Sequence, residues 1–130
     1  MKCKAGILLY KMGADEIEVL IVRNGKGNWS IPKGNIEEGE SRLRAAKREL
    51  LEEVAILAPA TLSYLGRVRD DKRDAFLSCY VGRVPKYVKP RSGDGIVEAK
   101  FMSIADALEI VEPYQIPFFK QMQKVFATVA

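Results

Sequence analysis

Histidine is absent from this chain of 130 residues. Its absence excludes serine–histidine triads, histidine general bases and most zinc-dependent catalysis, because each of these depends on an imidazole. If the protein is an enzyme, its acid–base chemistry must come from carboxylates, lysine, tyrosine or a metal-bound water.

Cysteine is scarce and long apolar runs are missing. Cys3 and Cys79 have neither the spacing of metal ligands nor the density of a disulfide scaffold, so we interpret both as reduced strand residues. No apolar run approaches the roughly 20 residues of a membrane-spanning helix, and the first residues do not resemble a signal peptide. We expect a cytoplasmic protein.

The remaining composition is typical of a globular chain, with 48% hydrophobic and 29% charged residues. It predicts one domain over residues 1–130, large enough to fold around its own core. The net charge of +4 suits an anionic ligand, but there is no long basic run and no RNA-binding aromatic motif. We expect a small-molecule partner rather than nucleic acid or a membrane, and either a monomer or a homodimer.

Apolar patterning and turn residues predict strands followed by helices. The predicted strands are residues 3–10, 17–23, 29–32, 62–69, 75–84 and 97–102. The predicted helices are residues 42–54 with Ser41 as N-cap, 104–111 with Ser103 as N-cap, and 116–129. We expect an α/β (α+β) fold in which helices cover a mixed sheet.

The first predicted helix follows a glycine-bearing segment, residues 33–40, which we expect to be a loop. An apolar stripe along the helix is expected to be buried. Its members are Leu43, Ala46, Leu50, Leu51 and Val54.

Three carboxylates, Glu49, Glu52 and Glu53, have the spacing i, i+3 and i+4 within this helix. On one helix face their Cβ atoms would lie about 5–6 Å apart, where like charges repel. A hard divalent cation such as Mg²⁺ would turn that repulsion into attraction, because it prefers oxygen ligands. A solvated acidic face is the alternative interpretation.

These glutamates belong to a longer pattern: Gly34, five residues, Glu40, seven residues, and then the segment RELLEEVAI at residues 48–56. The pattern resembles the Nudix box, G-x5-E-x7-R-E-U-x-E-E-x-G-U with U a bulky aliphatic residue. This box is the signature of hydrolases that cleave nucleoside diphosphates linked to another moiety. Every specified position in residues 34–56 matches except the late glycine, which here is Ala55. Either the helix keeps a left-handed end at Ala55, at a cost of about 1 kcal/mol, or it ends differently.

The resemblance implies a Nudix α/β/α sandwich, with a mixed β-sheet between helices, that hydrolyses a pyrophosphate bond with Mg²⁺ or, as a substitute, Mn²⁺. The implied metal ligands are Gly34, Glu49, Glu52 and Glu53. The implied catalytic residues are Glu49, Glu52, Arg48 and Glu98, and the water-activating base is open among the three glutamates of that set. Glu40 is expected to support the box, either as a distant ligand or through a salt bridge to Arg48.

The Pro32-Lys33-Gly34 sequence resembles the loop of dinucleoside polyphosphate hydrolases, whereas MutT-type enzymes more often have glycine in place of Lys33. The expected substrate is therefore a dinucleoside polyphosphate such as diadenosine tetraphosphate. Expected substrate-binding residues are Trp29, Lys33, Arg23 and Tyr87, although Trp29 could instead fill the core and the others could be ordinary surface residues.

Other functions stay open at this point. A MutT-type pyrophosphohydrolase of oxidised nucleoside triphosphates is the nearest alternative, followed by a diphosphoinositol polyphosphate or capped-RNA hydrolase. A non-catalytic, nucleotide-binding Nudix domain and a basic RNA-binding module are the alternatives that lack enzymatic activity.

Overall fold

The structure is a computed structural model that describes residues 1–127. Its centre is a mixed sheet of seven strands. The strands are β1 (Lys2–Met12), β2 (Ile17–Asn24), β3 (Trp29–Ser30), β4 (Lys33–Asn35), β5 (Ser63–Asp70), β6 (Ala75–Arg83) and β7 (Ile96–Ser103). Their order is β3-β2-β1-β6-β5, with β4 paired to β1 and β7 paired to β2. The β1–β6 pair is parallel and the other pairs are antiparallel.

Three α-helices accompany the sheet within the same residues: α1 (Arg42–Val54), α2 (Ile104–Ile110) and α3 (Ile116–Ala127). The Ser41 hydroxyl accepts a hydrogen bond from the Arg44 N–H and thereby caps α1, as predicted. Ser103 caps α2 in the same way. Val129, the predicted end of the last helix, lies outside the described residues. No helix within residues 1–127 is long and apolar enough to cross a membrane.

Two apolar cores lie on opposite faces of the sheet because successive side chains of β1 point to opposite sides. Ile7 and Leu9 pack with Leu50 of α1. Leu8 packs on the other face with Phe118 and other residues of α2 and α3. This arrangement confirms the predicted α/β/α sandwich with a mixed sheet between helices.

Two details of the prediction were wrong. Leu51, expected in the buried stripe, is 49% exposed, whereas Ala45 is fully buried. Leu51 follows Leu50 by one position, which rotates it by about 100° from the face that packs on the sheet. The expected loop at residues 33–40 also begins with the strand β4, whose Gly34 lies opposite Ala5 of β1.

Residues 91–94 close the C-terminal end of α1. Ala55 adopts the left-handed conformation, with φ 57° and ψ 37°, and its N–H donates to the Leu51 carbonyl. The next carbonyls, those of Glu52, Glu53 and Val54, accept hydrogen bonds from the backbone N–H groups of residues 94, 93 and 91. A segment distant in sequence thus satisfies the carbonyl groups that a helix end leaves free.

Candidate metal and active site

The strand β4 and the helix α1 bring Gly34 and Glu49 into direct contact. A Cβ atom built on Gly34 would lie 2.1 Å from the carboxyl carbon of Glu49 and 2.2 Å from its Oε1. Any side chain at residue 34 would therefore displace this carboxylate. The glycine that opens the box is required by the space that Glu49 occupies.

Arg48 joins the loop to the carboxylates of the helix. Its Nε and Nη2 atoms donate to both oxygens of Glu40, at 2.7 and 3.0 Å, a bidentate pairing. Its Nη1 donates to Glu49 Oε1 at 2.9 Å and to Glu52 Oε2 at 3.2 Å, and its Nη2 also donates to the Asn35 carbonyl. The Arg48 hydrogen bonds, followed by that from the Glu37 N–H, lower the pKa of Glu40 to about 2. Glu40 therefore supports the box through the salt bridge to Arg48.

Glu53 lies in the most desolvated position of the three box carboxylates. Its Oε1 accepts a hydrogen bond from the backbone N–H of Lys33 at 3.3 Å. Burial raises the pKa of Glu53 to about 8, against the favourable charge of Lys33. Burial also raises the pKa of Glu49, although Arg48 donates to it. Burial thus disfavours the charged form of both carboxylates when no cation is bound.

The donor set matches the chemistry of a divalent cation. Glu49, Glu52 and Glu53 supply carboxylate oxygens, and a hard cation would stabilise the charged forms of Glu49 and Glu53 that burial disfavours. Within residues 1–127, however, no three acidic side chains converge as a ready-made ion site. Arg48 holds Glu49 and Glu52 while Glu53 points to Lys33, so the carboxylates have to turn towards a common ion to bind it.

Arg23, Trp29 and Glu98 form a second group on β2, β3 and β7. Arg23 donates to Glu98 Oε1 at 3.3 Å, and its guanidinium carbon lies 5.7 Å from the centre of the Trp29 ring. Lys100 lies 5.2 Å from the same ring centre and 3.4 Å from Glu98 Oε2. Trp29 is half-buried against the core on the α2–α3 side of the sheet. Its ring therefore packs on the core and also lies close to the cationic groups of Arg23 and Lys100.

Glu98 lies on the α2–α3 side of the sheet. It shares a face of β7 with Met102, which packs on the α2–α3 side, whereas Ala99 packs on the α1 side. Its described contacts are with Arg23 and Lys100. Its role as a catalytic carboxylate stays a prediction. Tyr87 is 80% exposed on the loop after β6, and its role in substrate binding also stays a prediction.

Two further residues of the site and its surroundings, Lys100 and Gly93, were not among the candidates from the sequence. Lys100 follows Glu98 by two positions on a strand, so the alternation of β7 was a usable signal for it. Gly93 donates its N–H to the Glu53 carbonyl at 2.7 Å, and a Cβ there would lie 2.1 Å from the Glu52 carbonyl oxygen. Nothing in the sequence indicated that residue 93 meets the end of α1.

The sequence model of the NUDIX domain family matches residues 4–122, nearly the whole chain. The chain belongs to the Nudix family. It is a Nudix pyrophosphohydrolase that acts on nucleotide derivatives, and members of this family are generally dependent on a divalent metal. The prediction from the box is thereby confirmed at the level of family and reaction class.

Similar proteins include hydrolases of several kinds. An RNA pyrophosphohydrolase of Bradyrhizobium sp. (strain ORS 278) is 25% identical over 125 residues, which cover 78% of this Nudix chain and 74% of the relative. An Ap4A hydrolase of C. elegans, solved as a binary complex, has a TM-score of 0.84 at 19% identity and covers 98% of this chain and 99% of its own. The NUDIX domain of Shewanella oneidensis NrtR, solved with ADP ribose, has a TM-score of 0.83 at 20% identity. This match covers 97% of this chain and 88% of the NrtR chain. At such identities the structural likeness shows the fold alone.

Proposed function

We propose that this Nudix protein hydrolyses dinucleoside polyphosphates, such as diadenosine tetraphosphate, with Mg²⁺ bound at Glu49, Glu52, Glu53 and the Gly34 carbonyl. Lys33 carries the proposal. Its backbone N–H contacts the Glu53 carboxylate, while its side chain lies on the α2–α3 side of the sheet, over Gly6. The ammonium group of Lys33 is thus available near the box carboxylates. Phosphates next to the cleaved bond would extend towards it. The similarity in fold to an Ap4A hydrolase is consistent with this choice.

The residues of the box have separate tasks in this proposal. Arg48 fixes Glu49 and Glu52 relative to the Gly34 loop, and Lys33 binds a phosphate as a point charge. Glu52 is exposed, Glu49 and Glu53 are half-buried, and Glu98 pairs with Arg23 on another strand, so we assign the positioning of the attacking water to Glu52. A bound Mg²⁺ ion would neutralise pyrophosphate charge and lower the pKa of a coordinated water.

The substrate is tested by a panel of diadenosine tetraphosphate, nucleoside triphosphates including oxidised dGTP, ADP-ribose and a diphosphoinositol polyphosphate. We expect the highest kcat/KM for diadenosine tetraphosphate, and a loss of about tenfold in that value for Lys33→Met because a charge-assisted contact is removed. Lys120→Met, an exposed change on α3, is the matched control and should act as wild type. Turnover of nucleoside triphosphates without turnover of diadenosine tetraphosphate would replace the proposal by the MutT-type reaction.

A 5′-triphosphorylated RNA is the second candidate substrate, since the Bradyrhizobium relative is described as an RNA pyrophosphohydrolase. A short triphosphorylated oligonucleotide therefore belongs in the same panel. A higher kcat/KM for the oligonucleotide than for diadenosine tetraphosphate would favour this candidate. Binding of ADP-ribose without turnover of any compound would instead indicate a non-catalytic nucleotide-binding domain.

A further inference from the structure

Lys4 and Lys33 flank a patch of the sheet that has no side chain at its centre. In the β1–β4 pair Lys4 lies opposite Asn35 and Gly6 lies opposite Lys33. Lys4 and Lys33 are therefore diagonal neighbours on one face, with Cβ atoms about 7 Å apart. A Cβ on Gly6 would lie 2.8 Å from the Lys33 Cβ and 2.4 Å from the Pro32 carbonyl oxygen, so only glycine fits between them.

This face is the side of the sheet opposite α1. Leu8, two residues after Gly6 on β1, packs in the core with α2 and α3. Glu49, by contrast, lies against Gly34 on the α1 side. The backbone of Lys33 links the two sides, because its N–H donates to the Glu53 carboxylate. The side chains of Lys4 and Lys33 therefore lie near the box carboxylates but on the other face of the sheet.

Neither lysine side chain forms an ion pair with the residues that the structure describes. Lys4 is half-buried, and the nearby carboxylate of Asp70 is engaged by Arg73 at 2.7 Å. Burial, followed by the positive charges of Lys33 and Arg73, lowers the pKa of Lys4. A half-buried cation beside like charges is unfavourable unless an anion accompanies it.

We propose that Lys4 and Lys33 form an anion site, over Gly6, that binds a phosphate group of the substrate other than the one attacked at the box. The proposal deepens the function proposed above and rests on it for the identity of the substrate. It names Lys4, which the Nudix box does not contain, as a residue that selects substrates with several phosphates in a row. Two flexible ammonium groups about 7 Å apart at their Cβ atoms can reach one phosphate.

The anion site is tested without metal and without catalysis, by isothermal titration of inorganic tripolyphosphate in EDTA. Wild type should bind saturably, and Lys4→Met and Lys33→Met should each weaken binding about tenfold, the effect of losing one charged hydrogen-bond donor. Lys4→Arg should retain binding. Lys120→Met removes the same charge from α3 and should not change it. The melting temperature of Lys4→Met should not fall, because the change removes a repulsion.

Equal affinities of Lys4→Met and Lys120→Met for tripolyphosphate would overturn the proposal, as would the lack of saturable binding by wild type. A failure of the dinucleotide panel would leave the titration unaffected, so the two proposals can fail separately. With the preferred substrate, Lys4→Met should raise KM and leave kcat near that of wild type, since Lys4 does not contact the box carboxylates.

Discussion

The carboxylate of Glu53 is half-buried and lies near two other carboxylates, those of Glu49 and Glu52. It accepts a hydrogen bond from the backbone N–H of Lys33. Its pKa rises from 4.5 in the unfolded chain to about 8 in the folded, cation-free protein. The folded state therefore holds the proton more tightly than the unfolded state does. The resulting stabilisation is fully present below about pH 4.5 and is lost as pH rises through about 8.

Replacing Glu53 by glutamine should remove this dependence on pH. In EDTA, the free energy of unfolding of wild type should fall relative to that of Glu53→Gln between pH 5 and pH 9, as measured by urea denaturation. Glu38→Gln, a change in an exposed loop residue, is the control and should follow wild type. Parallel curves for wild type and Glu53→Gln would show that Glu53 is not desolvated in the free protein.

The end of α1 depends on one left-handed residue, Ala55, at the position where the Nudix box has glycine. Its φ of 57° lies in the region that is unfavourable for residues with a Cβ atom. The structure thus resolves the question that the sequence raised: the helix keeps the left-handed end and tolerates the alanine.

Ala55→Gly should stabilise the protein by about 1 kcal/mol, because glycine adopts this conformation without the steric penalty. The free energy of unfolding from urea denaturation measures the effect. Ala60→Gly provides the control, since Ala60 is exposed, lies outside the helices and has no positive φ. It should be neutral or slightly destabilising. A destabilised Ala55→Gly protein would mean that the helix end differs from the one described.

Residues 91–94 hold the last turn of α1, which carries Glu52 and Glu53. Gly93→Ala would place a Cβ atom 2.1 Å from the Glu52 carbonyl oxygen and so push the segment off the helix end. We expect weaker Mn²⁺ binding by about tenfold in a titration monitored by electron paramagnetic resonance, because the carboxylates lose their fixed backbone.

Gly25→Ala is the matched control for this change, since a Cβ on Gly25 meets nothing within 4 Å. It should bind Mn²⁺ as wild type does. Unchanged Mn²⁺ affinity in a folded Gly93→Ala protein would show that residues 91–94 do not position the box carboxylates.

For the whole molecule, two groups of charges lie on the two faces of the sheet and meet at Lys33, whose charge acts on Glu53. The box carboxylates lie on the α1 side, and Lys4, Lys33 and Glu98 lie on the other side. The strand β4 is where the two sides meet, because Gly34 faces Glu49 while the neighbouring Lys33 faces away from α1. A polyphosphate that reaches both groups would therefore have to pass this short strand.

Local signals predicted the helices and their caps well. The Ser41 and Ser103 caps and the glutamate face of α1 depend on residues three or four positions apart, which the sequence shows directly. The pairing of Glu98 with Arg23 depends on strand register between residues separated by 75 positions, which no local pattern encodes. The strand β4 was missed for a different reason: its three residues, with a central glycine, carry no strand signal.

We propose that the box carboxylates and a divalent cation together hydrolyse a pyrophosphate bond. The most direct measurement compares the rate of diadenosine tetraphosphate hydrolysis, followed by chromatography of the mononucleotide products, for wild type and Glu53→Gln with Mg²⁺ and with EDTA. We expect turnover by wild type with Mg²⁺, none in EDTA, and at least a hundredfold lower kcat for Glu53→Gln, about 2.7 kcal/mol of transition-state stabilisation. Equal rates for the two proteins, or turnover in EDTA, would show that the box carboxylates and a divalent cation do not carry out the hydrolysis.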